Sequence, residues 1–191
     1  MDRAEMERIF KQTGLMLEGH FLLTSGRHSN RYMQCAKLFQ YPEYSEMICK
    51  DLAGRFAGQK IDLVVGPAVG GIIMSYEMAR QFNVPNIFAE RENGAMTLRR
   101  GFSIPEGAKV LVVEDVVTTG GSVREVMDIV AEAKAEVVGV CVVVDRSGGK
   151  IDFGVPFEAA YETEIQSYEP SQCPLCEQGL ELVKPGSRKL K

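Results

Sequence analysis

Hydrophobic and polar positions along this chain change period several times, and each change marks an element. From Asp2 to Thr13, the positions Met6, Ile9, Phe10 and Thr13 share one helical face, and Gly14 is a natural stop. Between Phe21 and Gln34 the pattern shortens to two strands around the turn SGRHSN. Pro42 to Phe56 returns to an amphipathic helix, with Ile48, Leu52 and Phe56 on its inner side. The rest is more regular. IDLVV (61–65), NIFAE (86–90), KVLVV (109–113) and VVGVCVVV (137–144) read as strands. Helices are expected from Gly71 to about Phe82 and from Ser122 to about Lys134. The strands are continuous apolar runs with no alternation, so both of their faces must be covered. Strands of that kind alternating with helices predict an α/β fold, a doubly wound parallel sheet with helices on both faces. In such folds ligands sit beyond the carboxyl ends of the strands.

Length and composition bound the picture. The 191 residues are expected to form a single domain over 1–191, with a tail of different texture from about 170. At 45% hydrophobic and 25% charged the chain is neither disordered nor collagen-like. Twenty-two basic against twenty-six acidic residues give a net charge of −4, without the basic footprint that nucleic acid requires. The longest apolar run, Val137 to Val144, is too short for a bilayer span, and MDRAEMERIFKQ has no signal-like apolar stretch. A cytoplasmic protein without membrane partners is expected. Five cysteines, an odd number, suit a reducing compartment.

The strand ends carry the chemistry. VLVVEDVVTTGGSV (110–123) joins a strand, an acidic pair, a hydroxyl- and glycine-rich turn and a helix start. Gly120 and Gly121 let the backbone approach a ligand, Thr118, Thr119 and Ser122 offer hydroxyls, and the helix start offers N–H groups. That makes a phosphate cradle, without the lysine of a Walker loop. Glu114 and Asp115 would repel a phosphate beside them; they suit sugar hydroxyls or Mg²⁺. A diol next to a monophosphate is a ribose 5-phosphate. The plain alternative is an ordinary strand-to-helix turn. GPAVGG (66–71) has the same placement and reads as a second anion loop, or as a helix start packed closely on the sheet.

RENGAMTLRRGF (91–102) carries the hairpin signal Asn93-Gly94 and three cations, Arg91, Arg99 and Arg100. It is either a solvated hairpin or a lid for an anion. DRSGG (145–149) ends the fourth strand, and Arg146 can offer a bidentate fork to a carboxylate or pair with a surface acid. His20 reads as structural or solvated, His28 lies in the SGRHSN turn, and neither has the setting of a general base. Cys35, Cys49 and Cys141 read as buried thiols. Cys173 and Cys176 form CPLC, half of a zinc site with no second knuckle after it. A plain turn is expected there, ahead of zinc ligation (two subunits could pair their halves) or a redox disulfide.

Taken together, these motifs resemble the type I phosphoribosyltransferases. VLVVEDVVTTGGS resembles their phosphoribosyl-diphosphate (PRPP) signature, and VVTTGGSV is most similar to the orotate-using branch. FLLTSGRHSNRY, VVGPAVGGI, AERENGAMTLRRGF and VVVDRSGG extend the likeness over most of the chain, in the family's order.

The resemblance implies a type I phosphoribosyltransferase-like sheet with a small N-terminal hood, about 1–40. It implies transfer of ribose 5-phosphate from PRPP to orotate, giving orotidine 5′-monophosphate and pyrophosphate in pyrimidine synthesis. Mg²⁺ would be held mainly through PRPP, with Asp115 a candidate to hold it through a water. PRPP would lie on Glu114, Asp115, Val116, Val117 and the turn from Thr118 through Thr119, Gly120 and Gly121 to Ser122. Its pyrophosphate would meet Ala68, Val69 and Gly70, with a cis peptide between the first two, and Arg91 from the lid. Orotate would meet Thr118, Arg146 and the backbone near Tyr32 and Met33. Arg91, Arg99, Arg100, Glu114 and Asp115 are the catalytic candidates, and the lid would complete the neighbouring site of a homodimer.

The chain departs from the family at several points. Glu92 and Ala95 stand where lid lysines are frequent, the hairpin has no histidine, and Thr24 and Gly70 stand where other lysines occur. Arg99 and Arg100 are candidate substitutes. Two other readings are a transferase for another base, which Arg146 argues against, and a silent PRPP-sensing regulator, which the missing basic face argues against.

Overall fold

The structure, a computed structural model, describes residues 1–23, 25–164 and 166–185. Thr24, one of the positions where the family often has lysine, lies outside the described residues. Helix α1 (Arg3–Thr13) starts where the Asp2 carboxylate accepts the Glu5 N–H at 2.8 Å and stops at Gly14. Strands β1 (Met16–Leu22) and β2 (His28–Met33) pair antiparallel. β1 starts five residues before the expected Phe21, because only Met16, His20 and Phe21 along it are buried and the irregular spacing hides the strand period. A 3-10 turn over Cys35–Gln40 leads to α2 (Pro42–Arg55), with proline in its first turn.

The main sheet follows. β3 (Leu63–Pro67), α3 (Gly70–Phe82) and β4 (Asn86–Glu92) form one parallel crossover. β5 (Ala95–Leu98) returns antiparallel on β4 through Asn93 and Gly94, both at positive φ as a tight hairpin turn requires. β6 (Lys109–Val117), α4 (Gly121–Glu132) and β7 (Glu136–Asp145) form a second crossover, and β8 (Phe157–Glu162) adds a parallel edge. The sequence does not announce β8, since FEAAYE is only partly buried at the sheet edge. The order is β5-β4-β3-β6-β7-β8. One face packs Val64, Leu111 and Val143 against Ile48 and Leu52 of α2 and Met74 and Met78 of α3. The other packs Val65, Val112 and Val142 against Val123, Val126 and Val130 of α4. This is the expected α/β sheet with helices on both faces.

The small sheet takes its third strand, β9 (Ser167–Tyr168), from the far end of the chain. A single helical turn, α5 (Pro174–Glu177), follows, and Val183 bridges back to Phe21. The hood is therefore built from both ends of the sequence. His20 and His28 are both buried within it, which overturns the solvated reading of His20.

Candidate active site

Strand order places the site. β3 and β6 are neighbours, yet their crossovers leave in opposite directions, so their carboxyl ends flank a crevice. Into it point the starts of α3 and α4. Neither helix has a side-chain cap, so both present free backbone N–H groups to an anion. Gly120 sits at φ +75° before α4, a conformation that turns the chain from β6 into the helix. The peptide between Ala68 and Val69 is cis.

The crevice opens into a cleft of about 960 Å³ beneath the small sheet. Glu114, Asp115, Val116 and Ser122 line it from the β6 side, Ala68, Val69 and Gly70 from the β3 side. Tyr32 and Met33 line it from the hood and Arg146 from the end of β7. The structure thus brings four separate sequence motifs to one cavity. Val117 is buried beneath the site, and Thr118 to Gly121 form the turn that leads to Ser122.

Two adjacent carboxyls inside the cleft are held apart from their usual chemistry. Burial raises both, and the Asp115 charge raises Glu114 further, to about 9. The Val116 N–H, donating to Asp115 at 2.9 Å, partly offsets the effect on Asp115. The two carboxyls therefore lose their protons less readily than usual, and the pair gains from any cation or hydroxyl brought against it. A Cβ on Gly70 would stand 2.4 Å from the Asp115 carboxylate. A lysine at this position would require the Asp115 carboxylate to shift.

Arg146 is the opposite pole. Its backbone N–H donates to the Val117 carbonyl at 2.9 Å, which ties the end of β7 to that of β6. Among the described residues, its Nε is the buried side-chain nitrogen or oxygen without a hydrogen-bond partner. Burial lowers the affinity of the guanidinium for its proton, yet arginine stays charged. An unpaired buried donor on a cation awaits an anion.

The hairpin arginines do not line this cleft. Arg91 grips Glu125 on α4 and donates to the Gly94 carbonyl, Arg99 pairs with Glu92, and Arg100 grips Glu90. All are solvent-facing pairs. Sequence reasoning missed Arg31 and Lys184, which also line the cleft. Nothing local marks Lys184, since it reaches the site only because the tail folds back along β1.

The phosphoribosyl transferase domain family matches residues 42–153, which span β3 to β7 and the loops just described. An orotate phosphoribosyltransferase of Pelotomaculum thermopropionicum is 61% identical over 190 residues, covering 100% of each chain. The chain belongs to the orotate phosphoribosyltransferase family. Among solved orotate phosphoribosyltransferases, that of Aeropyrum pernix superposes with a TM-score of 0.69 at 26% identity, over 82% of this chain and 93% of that one. An adenine phosphoribosyltransferase from Trypanosoma brucei shares the fold with a TM-score of 0.64 at 18% identity, over 84% of this chain and 80% of its own. The scaffold is therefore common to proteins named for different bases. No helix among the described residues is long and apolar enough to cross a membrane.

Proposed function

We propose that the cleft binds PRPP and orotate together and transfers ribose 5-phosphate to the base, releasing pyrophosphate. The observation that carries this is Arg146, a half-buried cation whose buried Nε has no partner, set in one cavity with the acidic pair and two uncapped helix starts. A base bearing a carboxylate fits Arg146, and a purine offers it no anion. The 5-phosphate fits the turn from Thr118 to Ser122 and the start of α4; the pyrophosphate fits Ala68 to Gly70 and the start of α3. The ribose hydroxyls then fall to Glu114 and Asp115. Tyr32, Met33 and Thr118 frame the base.

This arrangement can act without a covalent nucleophile. Loss of pyrophosphate leaves positive charge on the ribose ring, which the carboxylate pair favours, while the loop N–H groups take the negative charge of the leaving group. Arg146 fixes the base for attack at the anomeric carbon. Mg²⁺ fits the acidic side, where two half-buried carboxyls lie together in the cleft, and Asp115 is the residue that would hold it. Bound there, Mg²⁺ supplies neutralisation of pyrophosphate charge. The β4–β5 hairpin, carrying Arg91, Arg99 and Arg100, serves as the lid, exchanging its ion pairs for pyrophosphate across a homodimer interface.

The test is loss of orotate ultraviolet absorbance with purified protein, PRPP and Mg²⁺. Turnover that needs all three is expected. Turnover of adenine or uracil in place of orotate would overturn the reading of Arg146, and PRPP binding without turnover of any base would favour a regulator.

A further inference from the structure

The CPLC motif has a partner that the sequence hides. His20 on β1 and His28 on β2 face each other inside the small sheet, His20 Nε2 to His28 Nδ1 at 3.0 Å. The tail turn brings two thiols onto them. Cys173 Sγ lies 3.5 Å from His20 Nε2, and Cys176 Sγ lies 3.8 Å from the same atom and 3.3 Å from His28 Nδ1. All four potential ligand atoms lie within 4.8 Å of one another. A tetrahedron with Zn–N near 2.05 Å and Zn–S near 2.3 Å has edges of about 3.3 to 3.8 Å. The four separations, 3.0 to 3.8 Å, fall within about 0.4 Å of those edges.

Three further observations point to a metal. The other nitrogen of His20, Nδ1, lies 2.9 Å from the Leu180 carbonyl. A carbonyl only accepts, so Nδ1 carries a proton and Nε2 faces the cluster, the arrangement that orients metal-bound histidines. Both cysteines are free thiols, although His20, His28 and Cys173 are all buried. Finally, the tail has little else to hold it. α5 is one turn with no buried residue, and Leu180, Leu182 and Val183 remain 48%, 41% and 46% exposed. Packing on that scale does not fix a chain terminus.

We propose that His20, His28, Cys173 and Cys176 form a structural zinc site that clasps the carboxy-terminal tail to the amino-terminal sheet. Four protein ligands close the coordination shell, as in structural rather than catalytic sites, and a mixed nitrogen and sulfur tetrahedron suits Zn²⁺. Binding releases the thiol protons, and both sulfurs bind as thiolates. The clasp reaches the cleft. Val183 N–H donates to the His20 carbonyl at 2.8 Å, Leu22 N–H donates to the Val183 carbonyl at 2.9 Å, and the next two residues, Lys184 and Pro185, line the cleft. The metal therefore positions one wall of the cavity without touching a substrate.

The test begins with elemental analysis of untagged full-length protein purified without chelator. About one zinc per chain is expected. Cys173→Ser/Cys176→Ser and His28→Gln should each lose it, with an unchanged sheet signature by circular dichroism and a lower unfolding temperature. Should those variants fail to fold, wild-type protein stripped by chelator is titrated with Co²⁺. One equivalent should then produce the thiolate charge-transfer and visible bands of a tetrahedral site, and Zn²⁺ should bleach them. Metal-free wild-type protein with two titratable tail thiols and no Co²⁺ spectrum would overturn the proposal. So would zinc retained in the double cysteine variant, or a Cys173–Cys176 disulfide in protein handled under reducing conditions. These readouts do not depend on turnover, so a wrong reading of the substrates would leave them intact. If the cleft is also read correctly, stripping zinc should raise KM severalfold, and re-adding it should restore KM.

Discussion

Glu114 and Asp115 show how a single residue's surroundings set both stability and chemistry. Folding moves the Glu114 carboxyl from an ordinary value of 4.5 to about 9, so between those values the native state holds a proton that the unfolded chain has released. Stability is then greatest below the lower value and falls as pH rises toward the upper one. Glu114→Gln should remove that slope: an unfolding temperature roughly 2–6 °C above wild type at pH 8, little change at pH 5, and a large loss of turnover, read by calorimetry and the orotate assay. Arg146 makes the complementary case. Its unpaired Nε awaits an anion, and a charge-assisted hydrogen bond contributes about 1.5–3 kcal/mol. Arg146→Ala should raise KM for orotate roughly 10- to 100-fold while PRPP binding, measured by titration calorimetry, changes little.

At the scale of elements, the arginines of the β4–β5 hairpin make surface ion pairs that contribute only about 0.2–1 kcal/mol each. Such a hairpin can exchange its partners at small cost, which is what a lid needs. The double variant Arg99→Ala/Arg100→Ala should therefore leave the unfolding temperature nearly unchanged. If these residues take the place of the missing lid lysines, turnover falls about tenfold or more with little change in KM for orotate. Full turnover in that variant would remove them from the mechanism. Helices α3 and α4 work differently. Their uncapped starts are fixed by packing of Met74, Met78, Val123 and Val126 against the sheet, so the backbone N–H groups there are held rigidly where the hairpin is adaptable.

At the scale of the whole molecule, the sheet order aims two loops at one crevice and the returning tail closes it from above. Arg91 lies outside that crevice, paired with Glu125 of its own chain. If the hairpin serves a neighbouring subunit, inactive Arg91→Ala and Asp115→Asn chains should complement when mixed. Random reassortment then leaves one intact site in each mixed dimer, or about a quarter of wild-type activity. No recovery above the separate variants would confine each hairpin to its own chain.

The sequence by itself determined whatever depends on neighbours along the chain. Helix and strand periods placed the core elements, Asn93-Gly94 placed the hairpin, and the acidic pair with its hydroxyl- and glycine-rich turn marked one end of the cleft. Residue chemistry marks Arg146 as a candidate fork for a carboxylate, and the structure leaves its Nε without a partner. The edge strand β8 escaped notice because a partly buried strand of small and charged residues has no clear period. Tertiary structure alone decided which distant segments meet. Arg99 and Arg100 fell outside the cleft, where the antiparallel return of β5 pairs them with nearby glutamates, and Arg91 reaches Glu125 on α4 instead. Lys184 fell inside it, because the tail runs back along β1. His20 and Cys176 are 156 residues apart, and no local pattern links them. They come together because an antiparallel hairpin buries two histidines side by side and the tail then folds across them.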